Sequence, residues 1–227
     1  MSIDYKVRYS RRKTAAIHIT EQGVELRLPY GVSERWGQMF VESKQDWITA
    51  KLADQHEQLQ QRPVLALGES ILWRGQEMQL RFQVKHQRPR LRVQDGVFCW
   101  QGPTSPTQDQ WRSALRDLFL EQAKQELPAL TQAYAQELNL QQKLNQVRFR
   151  HTKRKWGHCS SAGNIQYNWL IMGAPSWVIE YLVCHEVSHL RHLNHSAKFW
   201  QTVASIYPNY KQAQSWLKAE GIRLSWY

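Results

Sequence analysis

At 227 residues, with 42% hydrophobic and 22% charged residues, the chain is long enough to bury a core as one elaborated domain or two small ones. No apolar run approaches the ~18 residues of a membrane span. The first eight residues, Met1-Ser2-Ile3-Asp4-Tyr5-Lys6-Val7-Arg8, lack the apolar stretch of a signal peptide. The cysteines Cys99, Cys159 and Cys184 are odd in number and far apart, which argues against a disulfide framework and fits reduced thiols in a cytoplasmic protein. The net charge of +11 concentrates in three acid-free blocks, 6–13, 81–92 and 148–155, each with five Lys or Arg. Such blocks read either as solvated strand edges and loops or as surfaces for nucleic acid, nucleotides or anionic substrates.

Along the chain, Ala15–Thr20 and Val24–Leu28 alternate around Glu21-Gln22-Gly23 and predict a hairpin. Ser33 is a good N-cap for one long helix running to about Gln60, with Trp36, Phe40, Trp47 and Leu52 on related faces and Pro63 ending it. Two further hairpins follow. One joins Ser70–Trp73 to Met78–Val84 through Arg74-Gly75-Gln76, the other Arg90–Val93 to Val97–Trp100 through Asp95-Gly96. Gly102-Pro103-Thr104-Ser105-Pro106 is the best linker in the chain and divides it into an N-terminal region, 1–105, and a C-terminal region, 106–227.

Beyond the linker the pattern becomes helical. Trp111, Leu115, Leu118 and Phe119 open a long amphipathic run that continues past Pro128, kinked or restarted there, through Leu138. Val147–Arg150 and Asn164–Leu170 are expected strands. A helix starts near Ser176 after Pro175, a second carries Phe199, Trp200 and Val203 and stops at Pro208, and a last one covers about Lys211–Glu220. The overall class is α+β. Trp156, inside the basic segment 153–157, is the one tryptophan suspected as a contact residue.

The chemistry concentrates in the helix after Pro175, where His185-Glu186-Val187-Ser188-His189 forms an H-E-x-x-H motif. Histidines four apart project from one helix face, so both imidazoles reach a single ion. Glu186 points about a quarter-turn aside, placed to take a proton from metal-bound water rather than to ligate. Val178, Tyr181 and Leu182 share the histidine face, and two imidazoles buried there need partners. For the third ligand His192 and His195 compete. A helix continuing past His189 favours His192; a turn, with Asn194 entering the left-handed region, favours His195. His195 stands six residues after the second histidine, as in zincins whose helix breaks there, although their glycine is replaced by His192. Three histidines would leave the fourth position open, as a catalytic Zn2+ requires.

The residues from Trp156 to Trp200 resemble a known family. Trp156-Gly157-His158-Cys159-Ser160-Ser161, Asn168-Trp169, Ala174-Pro175, the H-E-x-x-H motif, Asn194-His195-Ser196 and Phe199-Trp200 are similar to the YgjP-like predicted metal-dependent hydrolases, relatives of the SprT-like and WLM zincin peptidases. Arg11-Arg12-Lys13-Thr14 before an alternating strand fits the same likeness, with His158 a departure where the family has a small residue. The resemblance implies a zincin-like C-terminal region with zinc on His185, His189 and His195 and Glu186 as catalytic carboxylate. A zinc-dependent peptidase acting on peptides or proteins is the leading expectation, with Tyr167, His158 or Lys155 stabilising the oxyanion and Asn164–Leu170 lining the cleft. The alternatives are a metal-dependent hydrolase of nucleotides or phosphate esters and a nucleic-acid-associated protease.

Overall fold

The computed structural model describes residues 3–20 and 22–227. Among them are six α-helices and ten strands in three small sheets, an α+β architecture. The chain divides into two compact units, Met1–Gln61 and Arg62–Tyr227.

In the first unit, β1 (Tyr5–Ser10), β2 (Ala16–Thr20) and β3 (Gly23–Pro29) form a sheet of order β1-β3-β2. The expected hairpin is there, with Ile19 opposite Val24 and Thr20 opposite Gly23; its turn residue Glu21, like Met1 and Ser2, lies outside the described residues. The parallel pairing of β1 with β3 has no signature in the sequence. Val24, Leu26 and Leu28 alternate onto one buried face and pack with Val41 and Ile48. The single long helix is in fact two, α1 (Glu34–Glu42) and α2 (Gln45–Gln60). Ser33 caps α1 as expected, accepting from Trp36 N. The run breaks because Ser43 donates its hydroxyl to Phe40 O and Lys44 leaves the helical region, at φ −115°.

The second unit begins with β4 (Ser70–Trp73), β5 (Gln76–Val84), β6 (Arg90–Gln94) and β7 (Val97–Gly102), ordered β4-β5-β7-β6. Both expected hairpins form. Their turns put Arg74 and Gly75, and Asp95 and Gly96, at positive φ, as two-residue hairpin loops demand. β5 and β7 pair in parallel, which joins the hairpins. Met78, Leu80, Phe98 and Trp100 face one side and share a continuous core with α3 (Gln108–Glu137).

Helix α3 starts in a capping box between Thr107 and Gln110 and runs unbroken through Pro128. It buries every fourth residue, Trp111, Leu115, Phe119, Ala123, Leu127, Thr131 and Ala135, so its apolar stripe winds slowly around the axis. Trp111 lies edge-on to Trp100, ring centroids 5.8 Å apart. The boundary between the units therefore falls after Gln61 and not in the Gly102–Pro106 segment, because the second and third hairpins and the following helices bury one core.

The third sheet, order β8-β10-β9, consists of β8 (Gln146–Phe149), β9 (Gly157–Cys159) and β10 (Asn164–Tyr167). The expected strand to Leu170 stops at Tyr167, where Asn168 caps a short 3-10 turn, Trp169–Gly173. Then come α4 (Ser176–Ser188), α5 (Ala197–Ile206) and α6 (Tyr210–Glu220). The β4–β5 turn clamps the entry to α4: Arg74 N and Gly75 N donate to Met172 O and Gly173 O at 3.1 and 2.8 Å. A Cβ on Gly75 would stand 2.6 Å from the Pro175 ring, so glycine is needed for the approach as well as for φ. Among the described residues no helix is long and apolar enough to cross a membrane.

Candidate metal centre

Helix α4 is buried on almost every side, Val178, Ile179, Leu182, Val183 and Val187 each within the core, and this fixes where its polar residues point. His185 and His189 lie one turn apart with ring centroids 4.9 Å from each other. The helix ends at once. His189 is its C-cap, and the next amides tighten to i→i−3 bonds, Leu190 N to Val187 O and Arg191 N to Ser188 O. The turn expected at Asn194 thus occurs five residues earlier, and Asn194 is not among the positive-φ residues; its Oδ1 instead accepts from Ser196 N at the start of α5. That return brings the His195 ring within 5.0 Å of His185 and 4.8 Å of His189, centroid to centroid.

The ligand atoms of the three histidines all lie within 4.8 Å of one another, with His185 Nε2 and His195 Nε2 3.1 Å apart. Two imidazoles on one tetrahedral zinc at about 2.0–2.1 Å leave their nitrogens about 3.3 Å apart, so that separation suits a shared ion. The far nitrogens of His185 and His189 are occupied. His189 Nδ1 is bonded to the His192 carbonyl at 2.8 Å, and His185 Nδ1 to the Tyr181 hydroxyl at 3.3 Å. Each bond orients its ring with Nε2 inward. His192 therefore serves through its backbone and is not in the histidine cluster. Burial, then the neighbouring His189 and His195, push the His185 pKa down to about 3; burial likewise lowers His189. Both are held neutral, the form that ligates. Beneath them Phe199, fully buried, meets all three rings at 4.4–4.9 Å, and Trp200 stacks on His195 at 5.7 Å. This aromatic floor from α5 is legible in the sequence only as a core pair.

Glu186 is 4% exposed, and its Oε2 has no hydrogen-bond partner among the described residues. Burial raises its pKa to about 8, with Lys155 pulling the other way. The carboxyl fits under β9 because residue 157 is glycine: a Cβ there would fall 2.3 Å from Glu186 Oε1. Cys159, on the same face of β9, is buried, and its thiol is pushed up to about 12 by burial and by the Glu186 charge.

Two expectations are corrected. Tyr167 is fully buried, with its hydroxyl 2.9 Å from Thr131 Oγ1, so it belongs to the core and is no oxyanion donor. β10 cannot take an extended peptide, because it is the middle strand, paired with β8 and β9. The edges are β8 and β9, and the one that lies against Glu186 is β9, a strand too short to be seen in the sequence. Trp156 is half-buried against the core beside Gly221, and its carbonyl accepts from Asn168 N at 2.7 Å. His158 and Lys155 are exposed, within electrostatic reach of His189 and Glu186 respectively.

The model of the YgjP-like metallopeptidase domain matches residues 13–220. The chain belongs to the YgjP-like family. Membership makes it a metal-dependent peptidase in general terms and implies a divalent metal, for which the three histidines are a compatible group. Comparison with curated proteins gave no match. Among solved structures, the crystal structure of the metallopeptidase zymogen of Pyrococcus abyssi abylysin is similar at 23% identity, over 39% of this chain and 89% of that one, with a TM-score of 0.37. That likeness is too slight to bear on the fold or the chemistry.

Proposed function

We propose that the chain is a zincin-like, zinc-dependent peptidase in which His185, His189 and His195 hold the ion and Glu186 is the general base. One observation carries this reading: three converging imidazoles, two of them oriented from behind, stand with a buried carboxylate whose Oε2 has no hydrogen-bond partner among the described residues. A bound zinc would lower the pKa of water and polarise the scissile carbonyl. Glu186 accepts the water proton and hands it to the leaving nitrogen. Burial favours the protonated form that gives the proton up, and a dication beside the carboxylate would favour the charged form that accepts it. His158 and Gln166 form a bonded pair in the ladder, as the flanking bonds Ser160 N to Asn164 O and Asn168 N to Trp156 O fix the phase. The main-chain groups of Gly157 and Cys159 therefore point to the open edge, where an extended substrate can pair antiparallel. Lys155 or His158 supplies charge to the oxyanion. The unpaired thiols Cys99, Cys159 and Cys184 suit a reducing compartment such as the cytoplasm.

The test is metal analysis of the purified protein, then casein-type and nucleoside triphosphate substrates assayed in parallel before and after chelation. Peptide cleavage lost on chelation and restored by zinc is expected. Peptide cleavage that survives chelation, or hydrolysis of the triphosphates alone, overturns the reading.

A further inference from the structure

The block of positive charge at 81–92 is not used by the metal centre, and the fold gives it an ordered form. Along β5, Met78, Leu80 and Phe82 turn inward, and Arg81 and Gln83 outward. Cross-strand register sets Arg81 and Arg92 on either side of Cys99, and Gln83 and Arg90 on either side of Gln101. With strands about 4.8 Å apart and residues about 3.4 Å apart along them, Arg81 and Arg92 stand about 10 Å apart and Arg90 about 7 Å from Arg92. Lys85 and Arg88, in the loop between β5 and β6, extend the row. All five side chains are exposed, and Asp95, in the far turn, is the sole acid between Met78 and Gly102.

Elsewhere in the molecule several half-buried arginines pair with carboxylates: Arg27 with Glu25, Arg112 with Asp109, Arg116 with Asp117, Arg223 with Glu220 and Glu77. Among the described residues none of the five cations on this sheet has an ion pair. Glutamines hold two of them, Arg81 and Arg90, instead. Arg81 Nε donates to Gln79 Oε1 at 2.8 Å, Arg90 Nε donates to Gln101 Oε1 at 3.4 Å, and Gln101 Nε2 donates to Gln83 Oε1 at 2.9 Å. The Arg81 and Arg90 guanidinium groups are thus oriented but not neutralised.

We propose that the outward face of the β4-β5-β7-β6 sheet is a docking surface for the phosphate backbone of nucleic acid. The face carries charge at strand and residue spacing, and four of its five cations are arginines suited to two-pronged phosphate contacts. Its outward strand positions carry no Phe, Tyr or Trp on which bases could stack, so the contact reads backbone and not sequence. Duplex and single strand should both bind, the duplex with the steeper salt dependence.

The full-length protein is titrated into a labelled 30-base-pair duplex and a 30-nucleotide single strand, read by fluorescence anisotropy from 50 to 200 mM salt. Five phosphate contacts give a slope of log K against log salt of about −4.5 for duplex, a loss of roughly 500-fold across that range. The triple variant Arg81→Gln, Arg90→Gln, Arg92→Gln should bring the slope to about −1.8 and the loss to roughly 12-fold. Circular dichroism and metal content, unchanged, show that it folds. No binding to either probe overturns the proposal. So does a slope unaltered in the triple variant but flattened by Lys153→Gln with Arg154→Gln. Binding of polyglutamate or phosphatidylserine vesicles without binding of nucleic acid overturns it as well.

Discussion

Glu186→Gln tests the centre in two independent ways, and the first needs no substrate. The carboxyl is 4% exposed and its Oε2 is unpartnered, so folding transfers it from water to a site that disfavours its charge. Its pKa rises on folding, from 4.5 to about 8. The stability tied to this group is thus fully present below pH 4.5 and is lost as pH climbs towards 8. At about 1.36 kcal/mol for each tenfold change in ionisation, the loss approaches about 5 kcal/mol. Glutamine is nearly isosteric and does not titrate. In metal-free protein unfolded by urea, the substituted chain should gain on the original by several kcal/mol between pH 5 and pH 8, the other groups cancelling in the difference. Zinc should shrink that gap, since a dication beside the carboxylate favours its charged form. An equal difference at both pH values would refute the burial argument. The second readout is turnover, which should fall 10²–10⁴-fold with zinc retained; loss of zinc in step with activity would make Glu186 a ligand.

His195→Ala should lower zinc content, measured by mass spectrometry, as strongly as His189→Ala, whereas His192→Ala should retain it; the reverse order would move the third ligand. Tyr181→Phe, removing the hydroxyl behind His185 Nδ1, should weaken zinc binding by about 10–100-fold in a chelator competition while leaving the fold intact. Gly157→Ala must displace either the edge strand or the carboxylate, so peptide turnover and thermal stability should both fall, and full activity would contradict the placement of Glu186. Proteolytic nicking between Gly102 and Pro106 should leave the two pieces associated in gel filtration, because Trp100 and Trp111 share one core.

Features written in short sequence spans are the legible ones. The two histidines on one face of α4, the hairpin turns at Arg74-Gly75 and Asp95-Gly96, and the Ser33 cap follow from helix period and turn chemistry alone. Parallel pairings such as β5 with β7 and β8 with β10 join segments far apart in the chain, with no local signature. β9 is three residues long beside a basic loop, so the sequence pattern directs the open edge to the wrong strand. A signal for Tyr167 does exist: it alternates in phase with Ile165, and two apolar-bodied residues on one face of a strand point to the core. The steric need for Gly157 carries no signal at all, because the atom it must avoid comes from another element.

The early stop of α4 gives the three histidines unequal standing. His185 and His189 are delivered by a buried helix whose shape the core dictates, whereas His195 sits in a run, Leu193 to Lys198, exposed at every residue. Such an ion would act as a staple, tying a soft return loop to a rigid rod. Capture would proceed in two stages, first onto the rod and then by closure of the loop. The cost of that closure, the entropy of only a few residues, sets how readily the ion escapes. With the ion on these three histidines, metal release and cutting of the chain near Leu193 should be linked events, and a protease present in excess would read the occupancy of the centre from that loop.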